Sequence, residues 1–469
     1  MTEPRERTVI VGGGLAGLAA AVALAKAGKP VELLEARRRL GGRASSWLDP
    51  SSGEMIDFCQ HVGMACCTNF ADFCSATGLS NAFRRARVLH FFGPDGRRYD
   101  LRATPGLPAP LHLLPALMRL GYLSLGERLS AIVAVGKLAR MRTGLDDMNV
   151  GQWLSEQKQN ATAVERFWAP VLVSALGESL ERASLKYARK VIVDGFLANR
   201  EAFQVDVPQA PLSELFGERV PAWLRERGAV VQTGLAVRSV RRTGSGTYEL
   251  DLGDGVVREA ARVIVALPWR KASEVLSPLA EAWPAVRQWR TIEGSPISGV
   301  HLWFDRPLTE LPHAVLVGTL AQWLFRPQSG EVPTGGGVEH YYQVVVSASY
   351  DLDTMDKQAA VDRIVGELRQ AFPQAGEARL LRYRIVTERE AVFSVRPGLD
   401  AIRPPQNSPL PGLAIAGDWT ATGWPGTLES AVRSGYLAAE AVLAEREPKL
   451  HQIVPDLPTA HLSRLLFGL

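Results

Sequence analysis

Cysteine is scarce in this chain, and its few copies are poorly placed for most cysteine chemistry. Cys59, Cys66, Cys67 and Cys74 all fall in one short segment of a 469-residue sequence. Their spacing lacks the paired CxxC pattern of zinc and iron–sulfur sites, so no metal is expected. The bland expectation is small buried thiols in a reducing compartment. Long apolar runs are missing as well. No stretch approaches the ~18 uninterrupted apolar residues of a spanning helix, and the opening MTEPRER has no leader-like apolar core. The sequence therefore reads as cytoplasmic, or as resting on the cytoplasmic membrane. An excess of one charge is absent too: 53 Lys and Arg face 49 Asp and Glu, for a net charge of +4. No basic block alternates with aromatics, which argues against a nucleic-acid partner. Repeats and low-complexity tracts are also lacking. What remains is ordinary globular composition, 46% hydrophobic and 22% charged, long enough for two cores.

The organising stretch runs from Thr8 to Arg43, TVIVGGGLAGLAAAVALAKAGKPVELLEARRRLGGR. Thr8–Val11 is a short β-branched run suited to a strand buried on both faces. Gly12, Gly14 and Gly17 follow at GxGxxG spacing, then a small-residue helix closed by Gly28. Pro30 breaks the chain, Val31–Leu34 forms a second strand, and Glu35 stands at its end. This is a βαβ unit with an acid about 20 residues past the glycines, as a dinucleotide site requires. Gly12 permits the tight turn, Gly14 lets the backbone approach a pyrophosphate, and Gly17 lets helix and strand pack closely. The helix N-terminus offers free amides and a positive dipole end. Glu35 can accept from both hydroxyls of an adenosine ribose.

The extension Arg39-Leu40-Gly41-Gly42-Arg43 resembles the flavin-containing amine oxidase and carotenoid desaturase superfamily, which binds FAD. The resemblance implies an α/β protein: a Rossmann-like FAD-binding domain with a discontinuous α+β substrate domain. It implies that Gly12, Gly14, Leu15, Ala16 and Gly17 meet the phosphates, Glu35 and Ala36 the ribose, and Val237 the adenine through its backbone. Arg43 would help hold the phosphates and the flavin-side backbone. In Asp57-Phe58-Cys59-Gln60-His61-Val62, the residues Gln60, His61 and Val62 would lie beside the flavin, with Cys59 where the family usually has glycine. A second match begins at Gly417-Asp418 and continues through Trp424-Pro425-Gly426-Thr427-Leu428. There the acid would sit near the ribitol and pyrophosphate, and helix amides at Gly426, Thr427 and Leu428 would face the flavin N1–C2=O2 edge, stabilising negative charge.

Between these motifs, Val88–Phe92 and Arg97–Leu101 flank a hairpin turn. Leu107–Arg119 is charge-poor and broken by prolines. A basic amphipathic helix follows from about Glu127 to Arg142, and residues 105-142 suggest a membrane-contact element, or else a buried cap. Helical periodicity persists from Val150 to Arg200. Strands are expected at Ala229–Thr233, Leu235–Val240 and 262–268, and then at 297–304, 315–316, 322–325, 341–349 and 380–386. The last group would floor a substrate cavity. The FAD-binding domain would comprise 1-75, 215-290 and 396-446, the substrate domain 76-214 and 291-395, and 447-469 a tail.

Within the superfamily, RFWAPVLVSALGE, SPISGVHLWFDRPL, EAVFSVRPGL and GLAIAGDWTATGWPGTLESAVRSG most resemble the squalene-associated branch, the hydroxysqualene dehydroxylases. That resemblance implies a C30 isoprenoid substrate, loss of its hydroxyl as water, and hydride donation by reduced flavin; no motif names an electron donor. Such chemistry needs a dry cavity, aromatic faces for a cation and an acid for the leaving oxygen. Trp168, Trp303, Phe304, Trp323, Tyr341, Phe393 and Trp424 are the aromatic candidates, and Asp57, His61 and Asp194 the catalytic ones. A polyene desaturase and a non-catalytic lipid-binding flavoprotein are the rival readings. An amine oxidase would need a lysine near the flavin, which no motif supplies.

Covalent attachment in related oxidases uses a cysteine or histidine near the C-terminal motif, and Gly417–Glu429 contains neither. Acid precipitation is expected to release the yellow chromophore into the supernatant; flavin retained on the pellet would show a covalent link.

Overall fold

The computed structural model describes residues 7–50, 53–327, 330–334, 337–444 and 451–469. Five short strands, β1 (Thr8–Val11), β2 (Val31–Glu35), β3 (Val230–Thr233), β4 (Arg262–Val265) and β5 (Leu413–Ile415), form one parallel sheet in the order β3-β2-β1-β4-β5. Ile10 sits between Leu33 and Ile264, which in turn faces Ala414. These side chains are fully buried, as expected of a parallel sheet covered on both faces. Two helices follow strands of this sheet, α1 (Leu15–Lys26) after β1 and α2 (Leu428–Leu443) after β5. They pack at very short range. A Cβ on Gly435 of α2 would lie 2.4 Å from the Ala16 carbonyl oxygen and 2.7 Å from the Ala20 nitrogen of α1.

A second, largely antiparallel sheet runs in the order Leu380–Phe393, Gly294–Phe304, Gly337–Ser347, Trp323–Phe325, His313–Leu316, Val88–Phe92, Arg98–Arg102. The expected hairpin thus becomes one edge of the same sheet, its first strand parallel to His313–Leu316. Side chains alternate along Gly294–Phe304. Val300, Leu302 and Phe304 pack on the helix Lys357–Ala371, while Trp303 turns to the other face with Ile56 and Tyr341. On that second face the strand comes so near the segment at Asp57 that a Cβ on Gly299 would be 2.6 Å from the Phe58 carbonyl oxygen.

Helices Leu125–Arg140, Val150–Glu156, 161–176 and 185–197 make a cap over one side. Among the described residues three turns are widened to i→i+5 pairing: Val164–Trp168 and Val193–Leu197 in this cap, and Ser213–Arg219 beside α1. Two have a visible cause. Pro170 and Pro221 lie just beyond them, and a proline inside a helix offers no amide and clashes with the carbonyl four residues back.

Some expectations need correction. The strand expected over Leu235–Val240 begins at Ser239, because the chain first hooks back onto β2, with Gly234 N donating to Arg37 O (3.0 Å) and Leu235 N to Glu35 O (2.9 Å). Ser239–Arg242 then pairs in a separate three-stranded sheet with Tyr248–Gly253 and Val256–Ala260. The apolar residues of Leu107–Arg119 divide: Leu113 is buried in a cluster with Leu89, Leu101 and Phe203, while Leu111 stays partly exposed. More strongly exposed aliphatic side chains follow on the next helix, at Leu125, Leu129 and Val133. The four cysteines are free. Among the described residues no helix is long and apolar enough to cross a membrane, and no side-chain group fit to hold a metal is present.

Gly435→Ala should force α2 away from α1 and destabilise the protein by about 1–3 kcal/mol, as overpacking generally does. A thermal melt checks this; an unchanged Tm would mean the helices have room to spare.

Candidate active site

The end of β1 is built to keep side chains out of the way. Gly12 adopts φ +109°, and a Cβ there would sit 2.4 Å from the Ala266 carbonyl oxygen. One on Gly17 would sit 1.9 Å from the Gly12 carbonyl oxygen, and one on Gly42 3.0 Å from the Gly14 Cα. Gly14 differs: its nearest neighbour would be 4.0 Å away, so the loop stays open there. Gly14 is also the N-cap of α1, with no side-chain cap and no acid in the first turn. Among the described residues the amides of Ala16 and Gly17 have no acceptor. Glu35 points back at this loop. Its carboxylate accepts from Gly13 N (2.7 Å) and Arg37 N (2.8 Å). Ala36 is exposed beside it, and Val237 lies just past the hook that returns to Glu35.

The second motif, at the end of β5, is held by a residue that the sequence reading did not single out. Arg403 is buried, and its guanidinium donates to the carbonyls of Asp418 (3.2 Å), Trp419 (3.1 Å), Thr420 (2.5 Å) and Trp424 (3.0 Å) while lying 4.6 Å from the Phe393 ring centroid. It also donates to the Tyr187 hydroxyl, which donates to Asp400, which in turn pairs with Lys186. Arg43 crosses from the first motif to the second, donating to Asp418 Oδ1 (2.5 Å) and the Ala391 carbonyl (2.7 Å). Gly417, at φ +152°, leaves no room for a Cβ, which would meet Trp419 Nε1 at 2.4 Å. Thr427 caps α2 by accepting from Ser430 N (3.1 Å), and the amides of Leu428 and Glu429 have no acceptor among the described residues. Gly426 abuts Val392, 2.9 Å from a would-be Cβ.

Between the two motifs runs the segment 57–62. These residues lie deep in the molecule yet keep partly accessible surface, which marks them as bordering an internal space. Asp57 Oδ1 accepts from Ser46 Oγ (2.6 Å) and Leu212 N (2.9 Å), fixing this segment against the next. Burial pushes its carboxyl up to about 6 and the Cys59 thiol up to about 12. His61 Nδ1 lies 2.8 Å from the Cys59 carbonyl oxygen, and burial holds its imidazole below the usual value. Gln60 Nε2 reaches the His61 carbonyl (3.4 Å). Beyond them Val62, Met64, Phe167, Phe196 and Trp323 are half-buried against one apolar cluster. Of the expected aromatics, Trp168, Trp303, Phe304 and Phe393 are fully buried, Tyr341 and Trp424 nearly so, and Trp323 alone is half-buried. Phe167 and Phe196 were missed; both sit in the widened helical turns, which re-aim side chains without changing the sequence period. Asp194 is in the second of those turns, 2.7 Å from Lys190 Nζ, which lies 4.2 Å from the Trp424 ring centroid.

Because the sheet is parallel, the two helix N-termini with unpaired amides open at the same end of it, on either side of the point where strand order reverses. With the β2 carboxylate beside one of them and an apolar interior alongside, the arrangement defines a dinucleotide-dependent oxidoreductase. Residues 15–443 match the family described as flavin containing amine oxidoreductase, and the chain belongs to that family. It is thus a flavin-dependent oxidoreductase, and the glycine cradle, free amides and bordering segment fit such a group. The chain is 29% identical over 447 residues to a hydroxysqualene dehydroxylase of Sinorhizobium fredii, covering 93% of this chain and 98% of that protein. It is 24% identical over 484 residues to a zeta-carotene desaturase of Synechocystis, covering 94% and 98%. Among solved structures, a cyclohexylamine oxidase from Brevibacterium oxydans has the same fold, with a TM-score of 0.69, 18% identity and coverage of 95% and 100%.

Asp57 generates a pH prediction. Its folded value, about 6, lies above the usual 3.8, so the stability tied to its neutral form is present below pH 4 and lost as pH rises through 6. Asp57→Asn can accept the same two hydrogen bonds without ionising. Its Tm should match wild type near pH 4 and exceed it by pH 8, by at most about 3 kcal/mol in stability. A difference independent of pH would mean Asp57 does not titrate in this way.

Proposed function

We propose that this protein is an FAD-dependent hydroxysqualene dehydroxylase acting in squalene and hopanoid synthesis. The observation that carries this reading is the 26–29% identity, over 93% of the chain, to hydroxysqualene dehydroxylases from three bacteria. The half-buried apolar side chains of Val62, Met64, Phe167, Phe196 and Trp323, gathered against one cluster, suit contact with a C30 isoprenoid. FAD would be held non-covalently. Gly12, Gly14, Leu15, Ala16 and Gly17 would face its phosphates, Glu35, Ala36 and Val237 its adenosine, and Arg43 and Asp418 its middle. Gln60, His61, Val62, Gly417, Gly426, Thr427 and Leu428 would border the ring. When bound in reduced form, the cofactor supplies hydride.

The substrate C–O bond breaks with protonation of the departing oxygen, giving water and an allylic cation that the hydride quenches. Asp57, with burial favouring its neutral form up to about pH 6, is suited to carry that proton; His61 and Asp194 are the other candidates. Aromatic faces at Phe167, Phe196 and Trp323 would stabilise the cation. The FAD-binding domain comprises 1-75, 215-290 and 396-446, and the substrate domain 76-214 and 291-395. The enzyme works in the cytoplasm, peripherally associated with the cytoplasmic membrane, where its lipid substrate is found. The similarity to zeta-carotene desaturase favours one second reading, polyene desaturation, in which hydride moves the other way.

The test is anaerobic: photoreduced protein is mixed with hydroxysqualene, flavin reoxidation is followed by absorbance, and the lipid is analysed. Reoxidation with formation of squalene is expected. No reoxidation, together with reduction of oxidised protein by a polyene, would replace this reading with the desaturase one.

A further inference from the structure

The chain's last described segment, residues 451–469, does not trail away from the fold. Asn69 brackets Val454, accepting from its amide (2.9 Å) and donating to its carbonyl (3.0 Å), and Glu440 of α2 accepts from Gln452 and Ile453. Arg433 of α2 pairs with Asp456. The chain then passes onto the cap. Asn199 donates to the Pro458 carbonyl (3.0 Å), Ala460 N to Ala198 O (2.7 Å), and Ser463 Oγ to Leu197 O (2.6 Å). It ends in a seven-residue helix, His461–Phe467. Arg140 donates to the Leu466 carbonyl (3.0 Å) and lies 5.3 Å from the Phe467 ring centroid, while Arg142 donates to the carbonyls of Phe467 (2.6 Å) and Gly468 (3.1 Å). Phe467 and Leu469 pack inward, against Ala139, Val193 and Ala198.

Held this way, the short helix turns Leu465 and Leu466 outward, 81% and 37% exposed. Its neighbour Leu125–Arg140 turns out Leu125 (57%), Leu129 (50%) and Val133 (58%), spaced every four residues along one side. Arg140 stands at the end of that same stripe. It joins the two helices. Around the apolar side chains Lys137, Arg140, Arg142 and Arg464 are exposed, with their alkyl stems available to lie along the leucines.

We propose that the outer side of Leu125–Arg140 and the terminal helix His461–Phe467 together form a docking surface for an anionic phospholipid bilayer. Isolated aliphatic side chains standing out from two helices need a medium that yields around each of them, as acyl chains do, and the four basic groups complement anionic headgroups. The proposal gives the peripheral association stated above a surface, and it holds for any lipid substrate of the interior cavity.

The test uses flavin-loaded full-length protein in flotation assays with vesicles of phosphatidylcholine alone or with a third of phosphatidylglycerol. Wild type should float with the anionic vesicles and lose most binding in high salt. Leu129→Ser with Val133→Ser, and separately Leu465→Ser with Leu466→Ser, should each weaken binding at least about tenfold. Arg464→Gln with Lys137→Gln should weaken it several-fold and flatten the salt dependence. Retained flavin absorbance and Tm show that each variant folds, and turnover of detergent-dispersed substrate separates loss of docking from failure of the proposed reaction. Equal flotation of wild type and both leucine variants would overturn the proposal. So would absence of wild-type flotation, or a wild-type dimer in light scattering that the leucine variants convert to monomer.

Discussion

The guanidinium of Arg403 has been taken out of water, and main-chain carbonyls have replaced its hydration. Leaving a buried cation unpaired would cost several kcal/mol, so the loop from Asp418 to Trp424 can hardly take another shape while Arg403 is present. The same group touches Tyr187, on a helix of the cap. One charge therefore fixes the nucleotide-side turn and locates the cap over it. Arg43 does a similar job from the other end of the chain, tying the glycine loop to Asp418. These two arginines tie the loops at the two helix ends to each other and to the cap.

Close backbone approach supplies the second constraint. Gly17 and Gly435 let α1 settle against the strand loop beneath it and against α2, which brings both helix N-termini to one crevice. Gly299 does the equivalent for the antiparallel sheet, letting it press on the carbonyl of Phe58 and hold the bordering segment from behind. The internal space is what these contacts leave open. Half-buried Phe167 and Phe196, on helices whose regular pairing is interrupted at Val164–Trp168 and Val193–Leu197, share one apolar cluster with Val62 and Met64 of the bordering region.

The βαβ unit was legible because its signals are local: glycine spacing, a small-residue helix and a terminal acid within one stretch. The strand–turn–helix from Leu413 was legible for the same reason. Arg403 was not, since an arginine some fifteen residues from the motif it serves looks like any surface cation until the chain is folded. The aromatic residues were less legible: Trp303 and Phe393 are fully buried, whereas Phe167 and Phe196 are half-buried in widened turns that leave no periodic trace, although Pro170 hints at the first. Leu113 and Leu129 show why an apolar segment does not reveal which of its residues face outward. Only packing against Leu89 and Phe203 decides it.

The parallel sheet has a consequence for biogenesis. Thr8 pairs with Arg262, and Val263 with Leu413, so the centre and one edge of the nucleotide sheet join segments made early, midway and late in translation. Loop closure over such separations is slow, and the crevice at the strand ends has no second wall until α2 emerges. A ribosome-bound chain stopped before that point lacks the helix that packs on α1 through Gly435, and leaves that side of α1 open. The crevice for the cofactor is complete only once Leu413–Ile415 and α2 have joined strands made far earlier in the chain.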